Sequence, residues 1–211
     1  MHYLMKLTQI KDKVPQKLYD IIASSITELR PAQEKAIRAG LLESKSLLVC
    51  TPTASGKTLI AELAAISSVM NGKGKAIYIV PLKALAAEKY KEFKKRYGNT
   101  LKIALSIGDV DSSDSYLSGY DFIICTAEKL DSLLRHHSPW LSTVSVVVVD
   151  EVHLLNDSSR GPTLEILLTI LRQLLPKMQL IALSATIGNS QELADWLKAE
   201  LVLDNWRPVK L

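Results

Sequence analysis

The sequence has only two cysteines in 211 residues, Cys50 and Cys125, and each closes an apolar run with no second thiol or histidine close by. A disulfide framework and a zinc site of Cys/His spacing are both excluded. Both thiols are expected as small buried hydrophobes in a reducing compartment. Aromatic residues are few (three Trp, seven Tyr, two Phe), and nine Gly and eight Pro argue against a strand-and-turn sandwich. No apolar run approaches the ~18 residues of a membrane helix, because Glu62 interrupts the longest one. Residues 1–11 carry Lys6 and Lys11 but no apolar stretch before a cleavage site, so no secretory signal is expected. Neither sign of charge dominates: 26 Lys and Arg face 22 Asp and Glu, a net +4. That balance is compatible with a polyanionic partner without demonstrating one. The expectation is a soluble, cytoplasmic, monomeric chain with no membrane contact.

Short apolar runs do recur, at 47–50, 76–80, 103–105, 122–125, 144–149, 180–183 and 201–203. Most are unbroken rather than alternating, as in strands buried on both faces of a parallel sheet. Helical patterns lie between them. Leu82, Ala86, Tyr90, Phe93 and Tyr97 fall on one stripe, with Lys89, Lys91, Lys94, Lys95 and Arg96 off it as a solvated face. The stretch 161–175 is almost wholly apolar and reads as a helix sandwiched between layers. His136 and His137 read as a polar helix end. Two helices, 15–25 and 31–42, precede the first strand, with Pro31 at the favoured first position of its helix. Strand and helix alternating over this length mean an α/β layered sheet, whose ligands bind beyond the carboxyl ends of the strands.

The first strand runs into Thr51-Pro52-Thr53-Ala54-Ser55-Gly56-Lys57-Thr58 and then a helix. Strand, small-residue loop and Gly-Lys-Thr make a phosphate cradle. Loop N–H groups and the helix N-terminus face the anion, with contributions from Thr53, Ala54, Ser55 and Gly56. Lys57 supplies a cation for the β/γ-phosphates and Thr58 a hydroxyl for Mg²⁺. Thr51 departs from the glycine of the full pattern. The run 144–149 ends in Asp150-Glu151-Val152-His153. An acidic pair at the tip of a buried strand is costly without a cation. Mg²⁺ held by Asp150, with Glu151 positioning the water that attacks the γ-phosphate, supplies one; a surface turn is the alternative. A GTPase is set aside because none of the five asparagines precedes a lysine. A small-molecule kinase would not carry Ser184-Ala185-Thr186 at the end of the 180–183 strand.

Gly56-Lys57-Thr58, Asp150-Glu151-Val152-His153 and Ser184-Ala185-Thr186 resemble motifs I, II and III of the superfamily 2 DExH-box helicases. Leu29-Arg30-Pro31-Ala32-Gln33 is similar to their adenine-reading Q motif. The segment 81–86 is similar to motif Ia, and Thr126-Ala127-Glu128-Lys129 to motif Ib. Arg160-Gly161-Pro162 and Trp206-Arg207-Pro208-Val209 resemble the Ski-like branch, most of all its archaeal DNA repair helicases. That likeness covers residues ~25–211 and accepts Thr51 in place of glycine.

The resemblance implies a RecA-like P-loop fold over 31–211, with a helical preface at 1–30. It places the Ser184 strand between the P-loop strand and the Asp150 strand. It implies ATP and Mg²⁺ as cofactors and Gln33 on the adenine. Ser184, Thr186 and His153 would couple the γ-phosphate to the strand side, and Lys83, Thr126, Lys129 and Arg160 would contact single-stranded or forked DNA. It further implies a second RecA-like domain with an arginine finger, whose Gln-x-x-Gly-Arg-x-x-Arg motif no glutamine here begins. Read from the residues alone, Thr126 is equally a helix N-cap. Lys83 reads as a solvated lysine, and Arg160 as either a coupling residue or a loop charge. The activity implied is 3′-to-5′ DNA unwinding driven by ATP, in repair and near the nucleoid. An RNA helicase of the same branch and a nucleotide-regulated binding module without turnover stand as alternatives.

Overall fold

Successive side chains of a strand leave opposite faces of its sheet, and here helices cover both. The computed structural model describes residues 4–108 and 114–207, so Pro208 and Val209 of the last motif lie outside the described residues. Seven strands form one sheet: β1 Leu47–Cys50, β2 Lys75–Val80, β3 Ile103–Ser106, β4 Phe122–Thr126, β5 Val144–Val149, β6 Gln179–Ser184 and β7 Glu200–Leu203. Their order is β3-β4-β2-β5-β6-β1-β7, and every pairing among them is parallel. The Ser184 strand does lie between the P-loop strand and the Asp150 strand.

The helices are α1 Gln16–Ala23, α2 Pro31–Arg38, α3 Lys57–Met70, α4 Lys83–Tyr97, α5 Ala127–Arg135, α6 Gly161–Leu174 and α7 Ser190–Leu197. Leu47, Val49, Tyr78, Phe122, Val148 and Ile181 pack on one side with side chains of α1 to α4. Their strand neighbours Leu48, Ile77, Ile123, Val147 and Leu180 pack on the other side with α5, α6 and α7. This two-sided burial is why the runs are unbroken. The preface joins the first of these cores through Leu7, Ile10, Val14, Leu18 and Ile22.

Three expectations need correction. Helix α6 is not sandwiched: Leu164, Leu167, Leu168 and Leu171 are buried, while Ile166 and Leu174 are 56% and 60% exposed. A single layer of helix covers that face of the sheet, so α6 has an outer side. Leu82 leaves the α4 stripe, standing exposed just before the helix begins. The basic face of α4 is only partly solvated, because Lys89 and Arg96 turn inward to partners on α3.

Candidate nucleotide site and strand-facing positions

The carboxyl ends of β1, β6 and β5 lie side by side, which brings together segments far apart in sequence. The Thr51 N–H donates to the Ser184 carbonyl at 3.2 Å, extending the β1–β6 pairing into the loop. Thr51 is fully buried, with its hydroxyl 2.6 Å from that of Ser55. The loop therefore accepts threonine for glycine: the side chain braces it from inside, and left-handed backbone falls instead at Ala54 (φ 63°) and Gly56 (φ 92°). The backbone at Gly56 favours glycine, and a Cβ there would lie 2.4 Å from Gln33 Nε2 and push that amide aside.

Gly56 opens α3 with no side-chain cap, leaving the N-terminus of this helix to other partners. The Lys57 ammonium donates to the carbonyls of Thr51 and Ser184, both at 3.1 Å. Among the described residues no carboxylate pairs with it. The Ser184 hydroxyl is fully buried without a hydrogen bond of ordinary geometry; only the Cys50 thiol, a weak partner, lies beside it. Burial pushes that thiol up, partly offset by Ser184 and Lys57. An unneutralised ammonium, an open helix N-terminus and a buried hydroxyl with only a weak thiol partner fit an anion. Thr53 and Ala54 are exposed on the loop.

Asp150 follows β5 and is fixed at both oxygens. Tyr78 donates its hydroxyl to Oδ2 at 3.0 Å, and the Glu151 N–H donates to Oδ1 at 3.0 Å. Glu151 sits in left-handed backbone at φ 53°, which swings its half-buried carboxylate to within 3.3 Å of His153 Nδ1, without hydrogen-bond geometry. The Thr58 hydroxyl accepts from Lys89 at 3.2 Å. Thr58 and Asp150 offer oxygen donors alone, the ligand type that Mg²⁺ takes.

Gln33 is buried and held on both sides of its amide. Its Oε1 accepts from the Arg30 N–H at 2.8 Å, and its Nε2 donates to the Gly56 carbonyl at 3.0 Å. It is thus a strut between α2 and the phosphate loop. Arg30 adds a second strut, donating to the Ala54 carbonyl at 2.6 Å with its guanidinium 5.6 Å from the Trp206 ring centre. A cavity of about 240 Å³ opens beside them, walled on one side by Ile22, Ile26 and Leu59 and elsewhere by polar and charged groups, Gln33, Arg30, Glu28, Glu62, Glu92 and Arg96 among them.

Positions assigned to the strand divide. Lys83, the first residue of α4, is exposed, as is Thr186 after β6. Thr126 is the N-cap of α5, accepting from the Lys129 N–H. Arg160, half-buried before α6, lines a shallow groove with Pro81, Glu128, Asp150 and Glu151. Lys129 is corrected: its side chain is 2% exposed and its ammonium lies 3.1 Å from an Asp114 oxygen. A lysine buried and ion-paired presents no charge to a phosphate backbone.

Sequence reasoning missed Tyr78, Lys89 and the loop contact of Arg30. Tyr78 carried a signal, as a hydroxyl inside an otherwise aliphatic run. Lys89 carried none, because its partner lies 31 positions away on another helix.

This α/β sheet with a phosphate loop, an acidic pair and a Ser-Ala-Thr segment at adjacent strand ends defines a RecA-like P-loop domain. The DEAD/DEAH box helicase family matches residues 30–194, and the chain belongs to that family. It is 50% identical over 208 residues to the ATP-dependent DNA helicase Hel308 of Pyrococcus horikoshii, covering 98% of this chain and 28% of the relative. Against Hel308 of Methanocaldococcus jannaschii it is 57% identical over 207 residues, covering 95% of this chain and 17% of the relative. The chain therefore spans little more than a quarter of these relatives at most. The crystal structure of the DUF1998 helicase MrfA bound to DNA matches with TM-score 0.77 at 26% identity, over 92% of this chain and 30% of that one. MrfA bound to DNA and AMPPNP matches with TM-score 0.76, also at 26% identity.

Proposed function

We propose that this chain is the first motor domain of an ATP-dependent DNA helicase that moves 3′ to 5′ along one strand and acts in DNA repair. The observation that carries the reading is the Lys57 ammonium bridging the carbonyls of Thr51 and Ser184 across two strands. That contact joins the phosphate loop to the Ser-Ala-Thr segment at a point where an anion is the missing partner.

Bound ATP would supply the phosphoanhydride to be cleaved, and Mg²⁺ would neutralise negative charge on its oxygens. The chain's residues do the rest. Lys57 and the α3 N-terminus hold the phosphates, while Thr58 and Asp150 hold the metal. Glu151 orients the attacking water. Ile22, Ile26 and Leu59 give the base an apolar wall, with Gln33 and Arg30 joining that wall to the phosphate loop. Arg160, in one groove with Asp150 and Glu151, stands between the hydrolytic residues and the strand side. Lys83 and the α5 N-terminus capped by Thr126 face the strand. Ser184, Thr186 and His153 carry the nucleotide state between these surfaces. A second RecA-like domain completes the cleft.

Titration with a fluorescent ATP analogue tests the site. Lys57→Ala is expected to abolish binding while leaving the fold intact, since it removes a charge and two hydrogen bonds to loop and strand-end carbonyls but no apolar core contact. Glu151→Gln is expected to keep binding and lose hydrolysis in a protein carrying the second domain. Unchanged affinity in Lys57→Ala would sink the assignment.

A further inference from the structure

Tyr78 lies at the centre of β2, fully buried in a run that is otherwise aliphatic, Ala76-Ile77-Tyr78-Ile79-Val80. Its ring packs against Phe93 of α4 at 5.4 Å and Phe122 of β4 at 6.3 Å between centroids. A phenylalanine would fill that space equally well. The hydroxyl is what needs explaining, because a buried hydroxyl costs stability unless it is bonded.

The sheet register explains where it goes. Tyr78 pairs with Val148 on β5, and both residues belong to the core on the α3 and α4 side. Two residues beyond Val148, Asp150 leaves the strand towards the same side. The Tyr78 hydroxyl reaches Oδ2 of Asp150 at 3.0 Å from below. An ionised carboxylate only accepts, so the tyrosine donates. With the Glu151 N–H on Oδ1, each oxygen of Asp150 has one fixed donor, and the carboxylate plane is set before any metal arrives.

We infer that Tyr78 is a positioning residue for the metal-holding carboxylate of Asp150. This rests on the reading of Asp150 as a Mg²⁺ ligand and goes one shell outward from it. Partners that orient a ligating carboxylate typically change metal affinity 10–100-fold when removed. The ring is clamped by Phe93 and Phe122, so the hydroxyl has little freedom to turn away. The orientation of Asp150 is thereby tied to the packing of α4, the helix that begins at Lys83.

The test is Tyr78→Phe in this chain, read by the Mg²⁺ dependence of fluorescent ATP-analogue binding and by the electron paramagnetic resonance of Mn²⁺ bound with it. Metal-free nucleotide affinity is expected to stay unchanged, while half-saturation by Mg²⁺ rises about tenfold. The Mn²⁺ spectrum is expected to change shape. In an Asp150→Asn background, the same substitution is expected to add nothing, since both act through one carboxylate. An unchanged Mg²⁺ half-saturation overturns the positioning role. So does an equal loss of affinity with and without metal, or loss of the folded circular dichroism spectrum, since either makes the hydroxyl merely structural. If the parent chain binds nucleotide without any Mg²⁺ dependence, the metal reading of Asp150 itself falls and takes this role with it.

Discussion

The Cys125 thiol, buried at the end of β4, is pushed up to about 12 by desolvation, which the nearby Lys129 ammonium offsets only in part. Unfolded, the same thiol ionises near 9.0. A group raised in the folded state contributes stability that is complete below its unfolded value and lost as pH rises through the folded one. Stability measured by denaturant unfolding should therefore fall between pH 9.0 and about 12, and Cys125→Ala should make that slope shallower, the buried Cys50, Tyr78 and Tyr97 keeping part of it. A thiol reagent at pH 8 should find neither cysteine until denaturant is added; rapid labelling of the native chain would contradict the burial. The sequence disclosed this much, since both cysteines end apolar runs. It did not disclose the pairing of Lys129 with Asp114, because a lysine just inside a helix start looks the same whether it faces water or a carboxylate 15 positions away.

Helix α4 shows how far periodicity reaches. Its 3.6-residue stripe identifies Ala86, Phe93 and Tyr97 as core, because apolar burial leaves a mark at fixed spacing. Charges leave no such mark. Arg96 donates to both oxygens of the buried Glu62 at 2.6 Å, joined there by the Tyr97 hydroxyl, and Lys89 meets Thr58. In the sequence Glu62 is visible only as an interruption in an apolar run. Burial pushes its carboxyl up, against the lowering effect of Tyr97 and Arg96. Lys83 stands exposed at the start of α4. Lys83→Ala should weaken single-strand binding uniformly over sequences and reduce the salt slope by about 0.7, the contribution of one phosphate contact. Filter binding or anisotropy across a salt series measures this. A loss confined to particular base sequences would remove Lys83 from the backbone grip.

At the scale of the whole molecule, the site occupies the carboxyl end of one sheet, and in the proposed reading it is one wall of a cleft that a second RecA-like domain completes. An arginine finger supplied from a second wall is worth about 10³–10⁵ in rate, and translocation needs two bodies closing around the nucleotide. The 211-residue chain alone should bind nucleotide yet hydrolyse it slowly, with little stimulation by single-stranded DNA. Joined to a second RecA-like domain, it should turn over faster by orders of magnitude. A robust strand-stimulated rate from this chain alone would contradict that, and gel filtration alongside would show whether copies complete one another's sites.

Seven strands, the phosphate loop and the acidic pair were legible because each is local: burial on both faces makes an unbroken run, and a cradle needs its small residues consecutively. Strand order could be expected only through resemblance, since apolar runs of similar composition carry no label of their neighbours. The second contacts of the site were decided by tertiary structure alone. Tyr78 meets Asp150 across 72 positions and Lys57 meets Ser184 across 127. Polar partners of this kind have no periodicity to betray them, and they exist only once parallel pairing has set the strand ends level.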